Sequence, residues 1–176
     1  MASLTVMEIQ LKSSVLRVWE TGDEQSLVEN ANNYNVSKNL KDTFPYPYTL
    51  DDAHDWINFN ILKNPVTNFA IVVDGKAVGG VGLHAKEDIF RKNMEIGYWL
   101  GEKYWGKGIV SEAVAEVTKF GFENFEIERI YASVFSTNRA SMKVLEKAGY
   151  ALEAILKKSV FKHGVILDDY IYAKYR

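Results

Sequence analysis

A glycine-rich loop between a predicted strand and a predicted helix is the part of this chain best suited to hold a charged ligand. The loop reads Trp105-Gly106-Lys107-Gly108, and apolar residues recur at helical spacing after it, from position 110 to position 121. Glycine lets the backbone approach a ligand closely, and the amides and dipole of a first helical turn favour negative charge. Lys107 adds a cation at the same place. The segment therefore predicts an anion site, although it matches neither the P-loop nor the dinucleotide fingerprint.

Two strands must flank this loop and helix. Residues 94–100 alternate between two faces and lead into the loop, and residues 127–134 form the next strand after the helix. Strands joined through a crossover helix run parallel. We therefore expect one parallel pair within a sheet that is otherwise mostly antiparallel.

The rest of the chain supplies further short strands and helices. The expected order is β-α-α-β-β-β-α-β-α-β-β, an α+β fold with about seven strands and about four helices. Strands are expected at 14–20, 68–73, 76–86, 94–100, 127–134, 151–161 and 165–174, and helices at 24–32, 49–62, 110–121 and 138–148. Residues 30–39 are rich in Asn without a clear period, and we assign them to a loop or to helix ends.

Composition excludes several classes of function. The length of 176 residues predicts one domain, 1–176, and the formal net charge of -2 does not favour nucleic acid as a partner. The chain has 3 His and 0 Cys, so neither a metal centre nor a thiol nucleophile is expected. The start of the chain does not resemble a signal peptide, and no apolar run reaches the length of a membrane span, about 20 residues. These observations predict a cytoplasmic protein without a membrane partner.

Five segments, taken in order along the chain, carry a resemblance to a known family. They read SVLRVWETGD, PYPYTLDDAHDWI, EIGYWLGEKYWGKGIVSEAV, STNRASMKVLEKAGY and HGVILDDYIYAKY. This pattern resembles the GCN5-related N-acetyltransferase (GNAT) superfamily, and within it the ribosomal-protein, RimJ/RimL-like branch. The resemblance covers essentially the whole chain and implies the GNAT fold, in which the sheet is splayed at its centre. It also implies an acyltransferase that moves an acetyl group from acetyl-CoA to a primary amine.

The resemblance assigns the acetyl-CoA contacts to the opening segment and to one helix start. Loop and helix amides would bind the pyrophosphate, the strand backbone would pair with the pantetheine amides, and Asn138 would hold the pantetheine arm. The residues so assigned are Tyr98, Trp99, Leu100, Trp105, Gly106, Lys107, Gly108, Ile109, Val110 and Asn138. Trp105 stands where the family has Arg or Gln, and Val110 where it has a small residue. The backbone is therefore expected to hold the donor. Asn138 has the alternative of capping a helix.

Amine acylation needs a group that takes the proton of the amine and a group that holds or protonates the departing thiolate. Glu95, on the central strand, is the candidate base, with an ion-paired structural carboxylate as the alternative. Ser141 is the acid that the resemblance implies, with a backbone hydrogen bond in the first helical turn as the alternative. Direct transfer in a ternary complex is expected, because the chain has no Cys to carry the acetyl group.

The acceptor is expected to be a protein N-terminal amine, as the branch implies. His84, Tyr46 and Asp168 are candidate acceptor contacts, with His84 also a candidate second base, and each has a structural alternative. A small amine such as a polyamine, an amino acid or an aminoglycoside-like compound stays open. The carboxylates that favour this alternative are Glu87, Asp88, Asp168 and Asp169. A non-catalytic acyl-CoA-binding domain is the rival from another class. A monomer and a homodimer are both compatible with the sequence.

Overall fold

The computed structural model describes residues 8–176, which form one mixed sheet with helices on both faces. The strands are β1 Glu8–Gln10, β2 Val15–Arg17, β3 Asn68–Val73, β4 Lys76–Ala85, β5 Asn93–Leu100, β6 Arg129–Phe135, β7 Ala151–Lys162 and β8 Val165–Tyr175. The helices are α1 Glu24–Ala31, α2 Tyr34–Ser37, α3 Leu50–Ile61, α4 Ile109–Asn124 and α5 Arg139–Lys147. Residues 1–7 lie outside the described part of the chain. The expectation that the start of the chain is not a signal peptide falls partly on them.

The sheet has the order β1-β2-β3-β4-β5-β6-β8-β7. Its neighbouring strands pair antiparallel except β5 and β6, which are parallel and are joined through α4. The α+β class and the single parallel pair are therefore confirmed. Strand β1 and helix α2 were not expected, because elements of 3 and 4 residues are too short to show a period.

The parallel pair opens after a short contact. Pairing joins Asn93 to Arg129, Met94 to Ile130 and Glu95 to Tyr131. Strand β5 continues to Leu100 and β6 to Phe135 without further partners between them in the register. The sheet is therefore splayed at its centre, as the resemblance implied.

Two apolar clusters fix the layers on either face of this opening. Helices α4 and α5 pack on one face, where an added Cβ on Gly121 would lie 2.7 Å from Leu83 and 3.0 Å from Ile130. Helices α1 and α3 cover the other face, and the Trp19 and Trp56 rings meet edge to face at 6.2 Å. Close packing of this kind leaves little freedom for the sheet to shift against its helices.

Local capping explains where the helices flanking the opening begin. Thr49 and Asp52 form a capping box at the start of α3. Asn138 accepts a hydrogen bond from the Ser141 N–H at 3.2 Å and thereby caps α5. Among the helices of residues 8–176, none combines the length and the apolar character needed to cross a membrane.

Candidate active site

A cavity of about 960 Å³ passes through the opening between β5 and β6. Alternate residues of a strand face opposite sides of a sheet, and β5 contributes to the cavity wall from both sides. Tyr98 and Leu100 line it on the side of α4 and α5, whereas Glu95, Gly97 and Trp99 line it on the side of α3. The cavity can therefore admit one molecule from each face and bring the two together at the opening.

The backbone of β5 presents peptide groups to this opening. The Gly101 N–H donates to the Val78 carbonyl on β4 at 2.8 Å. Because N–H and C=O groups alternate sides along a strand, the peptide groups of Tyr98 and Leu100 face away from β4, toward the gap. The Leu100 carbonyl accepts a hydrogen bond from the indole N–H of Trp105 at 2.7 Å. Tyr98 thus offers backbone groups to an extended ligand, and Trp105 braces the end of the strand.

The loop after β5 has the geometry of an anion cradle. Gly106 and Gly108 have φ values of 75° and 80°, in the left-handed region that favours glycine. The Glu112 N–H makes the first helical bond to the Gly108 carbonyl at 3.2 Å, so the amides of residues 109–111 lie free of the α4 ladder. These amides and the helix dipole provide a site for a phosphate.

Cations line the same cavity as the cradle, although the lysine that the sequence indicated is not among them. Lys107 is exposed, lies 5.4 Å from the centre of the Tyr104 ring and does not line the cavity. Lys143 and Lys147 do line it. Lys143 and Lys147 lie one turn apart on α5. This spacing could have identified them from the sequence as neighbours on one side of the helix.

Two hydroxyl groups meet at the opening. The Tyr98 and Ser141 hydroxyl oxygens lie 2.7 Å apart, and both residues line the cavity. Burial raises the pKa of Tyr98 well above its ordinary value of 10.0, although the hydrogen bond to Ser141 opposes this effect. The Tyr98 phenol is therefore protonated at neutral pH, and the pair can donate a proton into the cavity. The sequence assigned Ser141 alone to this role.

Glu95 has both carboxylate oxygens occupied. Its Oε1 lies 2.6 Å from the Lys41 ammonium and its Oε2 lies 2.7 Å from the Lys86 ammonium. Burial raises the pKa of Glu95, but the hydrogen bonds from the two lysines outweigh this effect, and the pKa lies below its ordinary value. A carboxylate held in this way is a weak base, so the geometry fits the ion-paired alternative.

His84 lies beside Glu95 on the same face of the sheet. The two residues are cross-strand partners, and a Cβ added to Gly97 would lie 3.5 Å from the His84 Nε2. Desolvation is the largest influence and lowers the pKa of His84; Glu95 opposes it, and the nearby lysines Lys63, Lys41 and Lys86 add to the lowering. The imidazole is therefore neutral at neutral pH, and it lines the cavity.

The end of the cavity next to α3 differs from the sequence expectation for the acceptor contacts. Tyr46 packs on Tyr34 with ring centres 5.8 Å apart, and it does not line the cavity. Asp168 also lies outside it, where its carboxylate accepts hydrogen bonds from the Lys157 ammonium at 3.0 Å and the Lys158 N–H at 2.9 Å. The wall is instead built by aromatic and acidic side chains, namely Phe44, Tyr48, Asp52, Asp55, Trp56 and Phe59. The last four recur at helical spacing along one face of α3, and the sequence analysis assigned none of them to a site.

Among residues 8–176, no group of three or more His, Asp or Glu side chains is arranged to hold a metal ion. The cavity brings together backbone amides, hydroxyl groups, one imidazole, an ion-paired carboxylate, the lysines of α5 and an aromatic and acidic wall. Such a set can bind a phosphate-bearing chain on one side and an amine on the other.

Known proteins resemble this chain over most of its length. The family model described as "Acetyltransferase (GNAT) domain" matches residues 14–151. The uncharacterized N-acetyltransferase p20 of Bacillus licheniformis is 30% identical over 164 residues, which cover 90% of each chain. The ribosomal-protein-serine acetyltransferase of Escherichia coli is 29% identical over 127 residues, 70% of each chain. For YoaA, an uncharacterized N-acetyltransferase of Bacillus subtilis, the match is 33% identical and spans 54% of each chain.

Solved structures share the architecture. A GNAT-family acetyltransferase from Bacillus anthracis superposes with a TM-score of 0.82 at 27% identity, covering 96% of this chain and 98% of that one. RimL, a ribosomal-protein alpha-N-acetyltransferase solved with coenzyme A, also gives a TM-score of 0.82, at 23% identity and with coverage of 96% and 98%. At that identity the second likeness shows the fold alone.

Proposed function

Because the chain belongs to the GNAT acetyltransferase family and is an acetyl-CoA-dependent N-acetyltransferase, we propose that its acceptor is the N-terminal amine of a protein. The opening between β5 and β6 is the observation that carries this proposal. It joins an anion cradle on one face of the sheet to an aromatic and acidic pocket on the other. A relative named for acetylating a ribosomal-protein serine supports a protein acceptor.

The residues present fit acetyl-CoA, which supplies the acetyl group as an activated thioester. The amides of residues 109–111 would hold the pyrophosphate, and Lys143 and Lys147 would add charge beside it. The peptide groups of Tyr98 would pair with the amides of the pantetheine arm, as an added strand does. An added strand can pair only with a strand edge that has no partner. The edge of β5 that faces β6 is unpaired only after Glu95.

We propose that His84 takes the proton of the acceptor amine, directly or through one water. The amine must be neutral to attack, and a base works best when its pKa lies near the operating pH. The lowered pKa of His84 leaves its imidazole neutral and able to accept a proton. Glu95 is less suited to this role, because both of its oxygens already bind ammonium groups.

The Tyr98–Ser141 hydroxyl pair would protonate the departing thiolate. Either hydroxyl can act as donor across their 2.7 Å hydrogen bond, and the protonated Tyr98 can replenish Ser141 after transfer. The Leu100 N–H faces the same gap and would donate to the acetyl carbonyl oxygen as that oxygen gains negative charge. We propose direct transfer in a ternary complex, because the chain has 0 Cys to carry the acetyl group.

A small-molecule amine is the second candidate, and the position of the carboxylates decides how far it is supported. The sequence left a polyamine acceptor open because of four carboxylates. None of them lines the main cavity: Glu87, Asp88, Asp168 and Asp169. Asp52 and Asp55 do line it, next to four aromatic rings. This wall suits an amine with an apolar body more than a chain of repeated cations.

A thiol-release assay tests the proposal. The protein is incubated with acetyl-CoA and either peptides with free N-termini or a panel of small amines. We expect free CoA with peptides, and none with the same peptides already acetylated at the N-terminus. Turnover confined to small amines would contradict a protein acceptor and favour the second candidate, a small-molecule amine. Binding of acetyl-CoA in a calorimeter without turnover of any amine would support the non-catalytic alternative.

A further inference from the structure

We propose that the Glu95 carboxylate is the binding site for the ammonium form of the acceptor, and that the Lys41 ammonium occupies this site in the free protein. The inference rests on the proposed function, since it concerns the acceptor of the same reaction. It changes the role of Glu95 from base to docking group, and it makes Lys41 an internal competitor of the acceptor.

The two lysines on Glu95 are held in different ways. Lys86 lies 5.5 Å from the centre of the Tyr131 ring, and its side chain is 32% exposed. Lys41 lies on the loop after α2, and its side chain is 63% exposed, whereas that of Glu95 is only 12% exposed. An ion pair with a well-exposed partner contributes little free energy, because water and salt replace that partner readily. Lys41 is therefore the exchangeable partner and Lys86 the permanent one.

The Lys41–Glu95 pair also lies where two cavities meet. Both residues line the main cavity, and both line a second cavity of about 520 Å³ next to β6, β7 and β8. Lys86 is not among the residues that line either one. Withdrawal of Lys41 would therefore widen the contact between the two cavities and expose Oε1 of Glu95 there, an effect that is not expected from withdrawal of Lys86.

The loop can release Lys41 without detaching from the protein. The next residue, Asp42, pairs with Lys162 on β7 at 2.6 Å, and the Lys162 side chain is 7% exposed. The Asp42 side chain is itself 83% exposed, so the firmer anchor of the loop is Phe44, whose ring packs on that of Trp99 on β5 with ring centres 5.4 Å apart. An arriving ammonium can thus take the position of the Lys41 Nζ with only a side-chain rearrangement.

The same exchange would deliver the acceptor to its base. Glu95 and His84 are cross-strand partners on one face of the sheet. An ammonium bound at Oε1 of Glu95 would lie next to an imidazole whose pKa is lowered by desolvation. His84 would then remove one proton from the bound ammonium, leaving the neutral amine that acylation requires.

Substitution of each lysine separately tests the exchange. Lys41→Met and Lys86→Met each remove one ammonium next to Glu95, so they match in charge and differ in what they open. With the peptide Ser-Ala-Ala-amide as acceptor, Lys41→Met should lower the acceptor KM about two- to fivefold, the size of an exposed ion pair, at nearly unchanged kcat. Lys86→Met should not lower it. Glu95→Gln should raise the acceptor KM when it is combined with Lys41→Met and when it is combined with Lys86→Met.

A second measurement does not depend on turnover. NMR titration with n-butylammonium gives dissociation constants for the parent protein and for both lysine variants. Tighter binding by Lys41→Met alone supports the exchange, even if no peptide is a substrate. Equal tightening by both variants would show an effect of charge only, and an unchanged constant for Lys41→Met would show that Lys41 does not fill the site. Either result overturns the inference, whereas failure of every amine to release CoA counts against the proposed function.

Discussion

The hydroxyl oxygens of Tyr98 and Ser141 lie 2.7 Å apart at the opening of the sheet, although the two residues are 43 positions apart in sequence. Tyr98 extends from the splayed strand β5, and Ser141 lies in the first turn of α5. The pair is therefore assembled by the packing of α5 across the opening. It places one proton donor behind another, which a lone serine cannot do.

Ser141→Ala should lower kcat about a hundredfold or more, the lower end of general acid catalysis, while the Kd of acetyl-CoA stays nearly unchanged. Tyr98→Phe should have a similar effect, because it removes the second hydroxyl and keeps the ring. Since the two groups act as a unit, the double variant should be little worse than either single one. Steady-state kinetics with calorimetry measures both quantities. Independent, multiplicative losses in the double variant would rule out a shared proton path.

The rate should respond to pH through His84. Its pKa lies below the ordinary value of 6.5, so the basic form prevails at pH 7 and is lost only as the pH falls through the lowered value. The acidic limb of kcat/KM should accordingly lie below pH 6.5. His84→Gln should remove this limb and lower kcat/KM at pH 7. A limb that persists unchanged in the variant would belong to another group.

The backbone of the loop should matter more than its side chains. Gly108 has a φ of 80°, and an L-residue there costs about 1–2 kcal/mol. Gly108→Ala should therefore weaken acetyl-CoA binding about fivefold or more, because the start of α4 must shift. Gly164→Ala is the matched control, since its φ is 77° in the turn between β7 and β8. It should lower the melting temperature to a similar extent and leave the Kd for acetyl-CoA unchanged.

The cations on α5 should contribute to donor affinity in a salt-dependent way. Lys143→Ala and Lys147→Ala should each raise the Kd for acetyl-CoA about two- to fivefold at low salt, and the difference should shrink as salt is added. Lys119→Ala provides the control, because Lys119 is 65% exposed on α4 and does not line the cavity. A loss of affinity equal in all three variants would indicate an effect of overall charge.

Local sequence patterns were sufficient to predict the strand, loop and helix that carry this site. Apolar alternation and helical spacing predicted the strand, loop and helix from residue 94 to residue 121, because each signal extends over only a few neighbours. Every residue that the resemblance assigned to acetyl-CoA lines the cavity except Lys107, whose side chain lies over Tyr104. Those ligand assignments themselves stay predictions.

The partners of the site residues could not be predicted, because they come from distant parts of the chain. Lys41 reaches Glu95 across 54 positions, and no sequence period records such a contact. Trp105 departs from the family pattern, yet its indole N–H supports the Leu100 carbonyl at 2.7 Å. Helix α2, with 4 residues, positions the loop that carries Lys41 and was too short to be recognised.

The aromatic wall of α3 should decide which acceptors bind. Phe59 is 61% exposed and lines the cavity, so Phe59→Ala removes apolar contact area from the acceptor end without opening the core. The acceptor KM should rise about threefold or more for peptides with a large apolar first residue and less for a first glycine, because the lost contact scales with buried apolar area. Phe90→Ala is the matched control, since Phe90 is 62% exposed and lies outside the cavity. Steady-state kinetics with the two peptides on both variants measures this selectivity, and an equal rise in KM for both peptides in Phe59→Ala would contradict a side-chain pocket on α3.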